Sequence, residues 1–244
     1  MDIDGDGYPD LLSGSWWGEI YLFRGTADHS FAARVMLRDK KGEIINKSPE
    51  NASQGTKQSI GQASVVSVAD WDGDGVLDLI VGNVSGDVYW LRNEGTARAC
   101  AFGEPRALTT TDGKAIHVSS RLGPASRAGP CVADWDADGD LDLLVGAEDG
   151  SVSLYRNIGT KTAPRLALPV QLVGPGVFQA NEVHRGGRSK ICVVDWNGDG
   201  KPDLLVGDLS IQKVDPSRLT AEEKAKQPPR DDEPHGWVWL FLRK

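Results

Sequence analysis

An acidic motif occurs four times in this chain and aligns without gaps: DIDGDGYPDLLSG from Asp2, DWDGDGVLDLIVG from Asp70, DWDADGDLDLLVG from Asp134 and DWNGDGKPDLLVG from Asp195. The copies start 68, 64 and 61 residues apart. A unit repeated at such a period buries its faces against copies of itself, so the repeat decides the architecture before any single residue does. Each motif is followed by a glycine-led apolar stretch, GEIYLFRGT from Gly18, GDVYWLRNEGT from Gly86, GSVSLYRNIGT from Gly150 and GWVWLFLRK from Gly236. Three motifs are also preceded by one, SVVSVA, GPCVA or SKICVV; the first copy lacks it.

One unit therefore reads as strand, acidic loop, strand, short turn, strand, and a long irregular segment with a fourth, edge-like strand such as Arg106-Ala107-Leu108 or Val170-Gln171-Leu172. Leu143, Leu144 and Val145 form a run that suits a strand buried on both faces, and Val152 and Leu154 alternate as the next strand requires. The expectation is an all-β chain, a β-propeller of four-stranded blades, forming one domain over residues 1–244 with blades near 1–60, 61–124, 125–186 and 187–244. A charged, proline-rich insertion at 209–235 interrupts the last blade; Thr220 and Glu223 are spaced as a capping box, which suits a short helix or a flap. Four blades either close a small ring or form part of an incomplete, N-terminally truncated one.

The acidic loops have the donors that a hard cation needs. Ca²⁺ takes six to eight oxygens, and alternating carboxylates with a glycine at the turn can supply them from one tight loop. The sets are Asp2, Asp4, Asp6 and Asp10; Asp70, Asp72, Asp74 and Asp78; Asp134, Asp136, Asp138 and Asp142; and Asp195, Asn197, Asp199 and Asp203. Tyr8, Val76, Asp140 and Lys201 stand where a backbone carbonyl would add a further oxygen. An Asp/Gly turn would explain one copy without metal. Four copies with every ligand position filled favour the cation, with Asn197 making the fourth site slightly weaker and Asp2, beside the terminus, making the first the one expected to fray. The intervening Trp71, Trp135 and Trp196 alternate away from the ligands and are expected to pack between blades.

The pattern D-x-D-x-D-G-x-x-D-L, then V-G and a G-x-V strand, resembles the FG-GAP/VCBS repeat family of integrin-α-type propellers. The resemblance covers essentially the whole chain. It implies up to four structural calcium ions, closure of each cage by the ninth-position aspartate, and an extracellular or cell-envelope location. By that family's strand order the first unit lacks its innermost strand and the last its outermost. No clear Phe-Gly pair precedes each blade, so integrin-like ligand recognition does not carry over.

The net charge of −8, without a basic stripe, argues against nucleic acid as a partner. Four calcium ions would neutralise it. No apolar run reaches the length of a membrane span, and no signal segment is visible. Cys131 and Cys192 share a repeat position with Ser67, which suits small strand residues better than a disulfide, and all three cysteines, Cys100 included, are expected as free thiols. Asn46, Asn51 and Asn83 begin glycosylation triplets, which arise readily by chance.

The long connections fall on the face opposite the acidic loops, where a rigid scaffold would present them to a partner. Trp16 and Trp17 sit in the first such turn, suited to stacking on a sugar or to covering a neighbouring segment. His117, Arg121 and Arg127, with Glu182, His184, Arg185 and Arg188, form a second group suited to an anionic polysaccharide or to plain solvation. The leading expectation is a non-enzymatic binding module for a glycan or protein, with self-association through an open blade edge as a further partner mode. The alternative is a polysaccharide lyase or hydrolase on the same scaffold, using Arg185, His184 and His117.

Overall fold

The structure, a computed structural model, describes residues 1–46, 60–120, 125–177, 179–180, 184–213, 220 and 232–244. Four antiparallel blades of a β-propeller account for nearly all regular structure, and the described residues contain no helix. Blade one holds β1 (Leu11–Gly14), β2 (Ile20–Phe23) and β3 (Val35–Met36). Blade two holds β4 (Val65–Ala69), β5 (Asp78–Gly82), β6 (Val88–Leu91) and β7 (Arg106–Ala107). Blade three repeats it as β8 (Gly129–Ala133), β9 (Asp142–Gly146), β10 (Val152–Tyr155) and β11 (Val170–Val173).

In blade four, β13 (Gly187–Val194) and a long β14 (Asp203–Lys213) are followed by β16 (Val238–Phe241). The far end of β14 pairs in parallel with β12 (Gln179–Ala180) and antiparallel with β15 (Asp232–His235). Both ends of the charged insertion are therefore strand; Glu223, the partner in the capping box, lies outside the described residues, as do Asn51, Arg121 and Glu182. Among the described residues blade one has no strand inside β1, and blade four has none outside β16, as the repeat register implies.

In the two middle blades the second strand, β5 or β9, is apolar on both sides because it has a blade on both sides. In β5, Leu79 and Val81 face blade one and join Ile3, Ile20 and Leu22, while Ile80 faces blade three and joins Trp71, Val88, Leu143 and Val145. A third core joins Leu144, Val152, Leu154 and Val173 of blade three to Leu204 and Val206 of blade four. Each such buried aliphatic side chain contributes about 1.5–3 kcal/mol, so the blades hold one another.

The V-G glycine of each motif explains how close the blades come. A β-carbon at Gly14 would lie 2.0 Å from Ser64 O, at Gly82 2.3 Å from Ala128 O, and at Gly146 2.5 Å from Ser189 O. At the matching Gly207 the nearest atom, Lys190 O of the same blade, is 3.6 Å away. No described residue packs against that side of blade four. Val194, Trp196, Val238, Leu240 and Leu242 are all exposed there, Val238 at 70% and Trp196 at 62%. The blade-three counterparts of Val238 and Leu240, Val152 and Leu154, are 0% and 4% exposed. The expectation of three inter-blade tryptophans holds for Trp71 and Trp135 and fails for Trp196, because its covering surface is a following blade that the described residues do not supply.

Candidate metal centres and the opposite loop face

The acidic loops fold the same way four times because their own carboxylates accept the loop's backbone donors. In the first, Asp6 N and Gly7 N donate to Asp2, and Tyr8 N donates to Asp6 Oδ1 at 2.9 Å. The third and fourth loops repeat this through Asp134 with Asp138 and Asp195 with Asp199. The second keeps Gly75 N to Asp70 and Val76 N to Asp74. The first and third aspartates thus shape the turn, and the residues expected to offer carbonyl oxygens are the ones whose N–H groups brace it.

The ninth-position aspartates are buried and carry a second load. Asp10 accepts from Ile3 N and Gly25 N, Asp142 from Trp135 N and Asn157 N, and Asp203 from Trp196 N and Arg243 N. Asp78 accepts from Asn93 N at 2.6 Å and the Trp90 indole at 2.9 Å. Each ties the acidic loop to the end of the third strand. Burial pushes the Asp78 carboxyl up to about 6, its two hydrogen bonds opposing the shift and Asp72 and Asp74 adding to it; burial likewise raises Asp142.

The second aspartate differs. Arg24 Nε donates to Asp4 Oδ2 at 2.7 Å, Arg92 Nε to Asp72 Oδ2 at 2.5 Å, and Arg156 pairs with Asp136 Oδ2. The other oxygen of each, Oδ1 of Asp4, Asp72 and Asp136, is buried with no partner, as is Asp70 Oδ1. Ligand atoms of Asp2, Asp4 and Asp6, of Asp70, Asp72 and Asp74, and of Asp134, Asp136 and Asp142 each lie within 4.8 Å of one another. Orphaned buried oxygens in an all-oxygen cluster fit a hard divalent cation. In the fourth loop the pair is gone on both sides: Asn197 replaces the aspartate and Leu242 the arginine. Asn197 instead bonds Asp199, accepting from its N–H at 2.9 Å and donating to its carboxylate at 3.2 Å. The arginines were missing from the residues expected at the sites, although they recur at one repeat position, in FRGT, LRNEGT and YRNIGT.

On the opposite face the expected ligand residues divide: Trp16, Arg127 and Arg188 line one cavity, and His117, His184 and Arg185 are not among its lining. Trp16 and Trp17 are exposed at 53% and 42% in the β1–β2 turn, where they were expected. His117 Nδ1 is 2.8 Å from Asp87 Oδ1, within hydrogen-bond distance. Arg185 donates to the carbonyls of Gly150, Gly174 and Pro175, so it braces a loop. His184 Nδ1 contacts the Arg185 carbonyl at 3.2 Å. The glycosylation triplets at Asn46 and Asn83 begin on buried amides that donate to Gly18 O and Gly61 O and to Ile60 O. All three cysteines are free, and burial raises the Cys131 thiol to about 11.

Comparison with known proteins places these loops in a wider setting. Residues 2–81, 70–145 and 134–206 match the FG-GAP-like repeat. Integrin alpha-7 of Rattus norvegicus is 28% identical over 198 residues, which is 75% of this chain and 16% of the integrin. Integrin alpha-7 of Homo sapiens is 28% identical over 202 residues, 77% of this chain and 15% of its own length. The chain thus spans a small part of these relatives. A Photorhabdus luminescens Tc holotoxin pore overlaps 94% of this chain and 8% of its own, at 20% identity and a TM-score of 0.42.

Proposed function

We propose that this chain, which belongs to the FG-GAP-like repeat family, is a calcium-stabilised extracellular interaction module that recognises a glycan or a protein through the loop face opposite its acidic cages. The observation that carries the metal reading is the buried, partnerless Oδ1 of Asp4, Asp72 and Asp136 beside neighbouring carboxylates. An ionised oxygen left in that state is costly, and a cation removes the penalty. Oxygen-only donors favour Ca²⁺ over zinc or copper, and a flexible loop of carboxylates and carbonyls suits it better than Mg²⁺.

The role is structural. Each loop joins the first and second strands of its blade and is tied to the third through Asp10, Asp78, Asp142 or Asp203. A bound ion would therefore hold three strands in register. Cages already part-neutralised by arginine suit the modest affinities of extracellular calcium modules, which saturate where calcium is abundant. Recognition falls to the other face because its turns carry the exposed aromatic pair and several cations.

Elemental analysis of the desalted protein together with binding to an array of extracellular glycans and matrix proteins tests this reading. The expected result is bound calcium, and binding to at least one array component that is lost in chelator. A calcium-free chain, or binding indifferent to chelator, contradicts it.

A further inference from the structure

The residue seven positions before each of the last three motifs has a left-handed backbone: Ala63 at φ 53°, Arg127 at 46° and Arg188 at 59°. Each donates its N–H to the second–third strand turn of the preceding blade, Ala63 to Trp16 O at 2.8 Å, Arg127 to Val84 O at 3.0 Å and Arg188 to Glu148 O at 2.8 Å. The conformation favours glycine and costs other residues about 1–2 kcal/mol. Glycine would serve the hydrogen bond equally well. Arginine stands there twice, which points to a use for its side chain.

Both arginines line one cavity of about 270 Å³, with Trp16, Lys190 and the backbone of Gly14 and Ser64. The Arg127 guanidinium lies 5.2 Å from the centre of the Trp16 ring. Arg127 Nε is 2.6 Å from Glu148 Oε2, and Arg188 Nε is 3.2 Å from Glu148 Oε1. Lys190 shares its repeat position with Gly129, and a β-carbon built at Gly129 would be in ordinary contact, 3.6 Å, with the Lys190 ammonium. Lys190 is exposed in β13; partial desolvation, then Arg127 and Arg188, lower its pKa, and Glu148 opposes them. Arg127, Arg188 and Lys190 thus come together at one cavity in a chain whose net charge is −8.

We infer that Arg127, Arg188 and Lys190, with Trp16 at the rim, form a binding site for the carboxylate of an acidic sugar, a uronate. The three cations lining the cavity supply the carboxylate contact, and the exposed, adjacent Trp16 and Trp17 supply an apolar platform for a pyranose ring beside it. The inference rests on the reading of this face as the recognition surface. It narrows the expected anion group to Arg127 and Arg188, adds Lys190 of β13, and leaves out His117 and Arg185.

Isothermal titration in millimolar calcium tests it, with a β-1,4-linked glucuronate tetrasaccharide as probe. Cellotetraose has the same backbone without the carboxylates, and a tetraglutamate peptide has carboxylates without the rings. The uronate should bind, cellotetraose should bind at least about tenfold more weakly, and Lys190→Gln should weaken the uronate by about tenfold with an unchanged melting temperature. Trp16→Ala should weaken it as well. Equal binding of cellotetraose, or indifference to Lys190→Gln, overturns the site; equal binding of tetraglutamate overturns its assignment to a sugar. No uronate binding by a chain that still melts as its calcium form overturns this site alone, since the array measurement tests the broader reading separately.

Discussion

Arg92 holds one oxygen of Asp72 at 2.5 Å and leaves the other buried without a partner. The same division recurs at Arg24 with Asp4 and at Arg156 with Asp136, and it disappears from both sides together at Asn197 and Leu242. A guanidinium that fixes one carboxylate oxygen aims the second one, and its charge offsets the ligand it aims. The fourth loop reaches the same local charge by removing both members.

Arg92→Leu should therefore lower the melting temperature of the chelated protein by several degrees, because Asp72 then keeps a buried charge with neither cation. Adding Asp72→Asn, which copies the fourth loop, should recover most of that loss. A double variant that melts as low as the single one contradicts the pairing. Differential scanning calorimetry reads both.

The glycine before each short turn gives an internal control. Gly82→Ala places a methyl group 2.3 Å from the Ala128 carbonyl and should destabilise by about 3 kcal/mol or more. Gly207→Ala, with its nearest atom 3.6 Å away, should stay within about 0.5 kcal/mol of the parent. Urea denaturation of the two variants separates the cases, and similar losses would contradict the unequal packing of the two glycines.

The open side of blade four carries apolar residues whose repeat counterparts are core. Contiguous exposed apolar surface of this kind drives association. Sedimentation should show concentration-dependent self-association that Val238→Lys or Leu240→Glu reduces, while the melting temperature changes little. Unchanged sedimentation in both variants would contradict a role for this face.

The repeat made most of the blade strands legible, since a second strand flanked by blades on both sides must be apolar throughout, as in β5 and β9. It also made the four acidic loops legible, because alternation and the turn glycine are local demands. The failures lie where a residue's surroundings come from elsewhere in the chain. Trp196 reads like Trp71, yet only Trp71 has a following blade to cover it. Arg185 and His117 look like free loop cations, but three carbonyls and Asp87 engage them. Lys190 reads as an ordinary strand residue, and its importance depends on Arg127 and Arg188 arriving from two connections.

Melting in calcium and in chelator tests the central claim most directly. At a hundredfold excess over its dissociation constant, each site would contribute about 2.7 kcal/mol. Three such sites in a domain of this size correspond to a rise on the order of 10 °C or more. Scanning calorimetry with excess EGTA, then with restored calcium, should show that difference reversibly, with magnesium restoring little of it. Identical transitions in EGTA and in calcium would contradict the account.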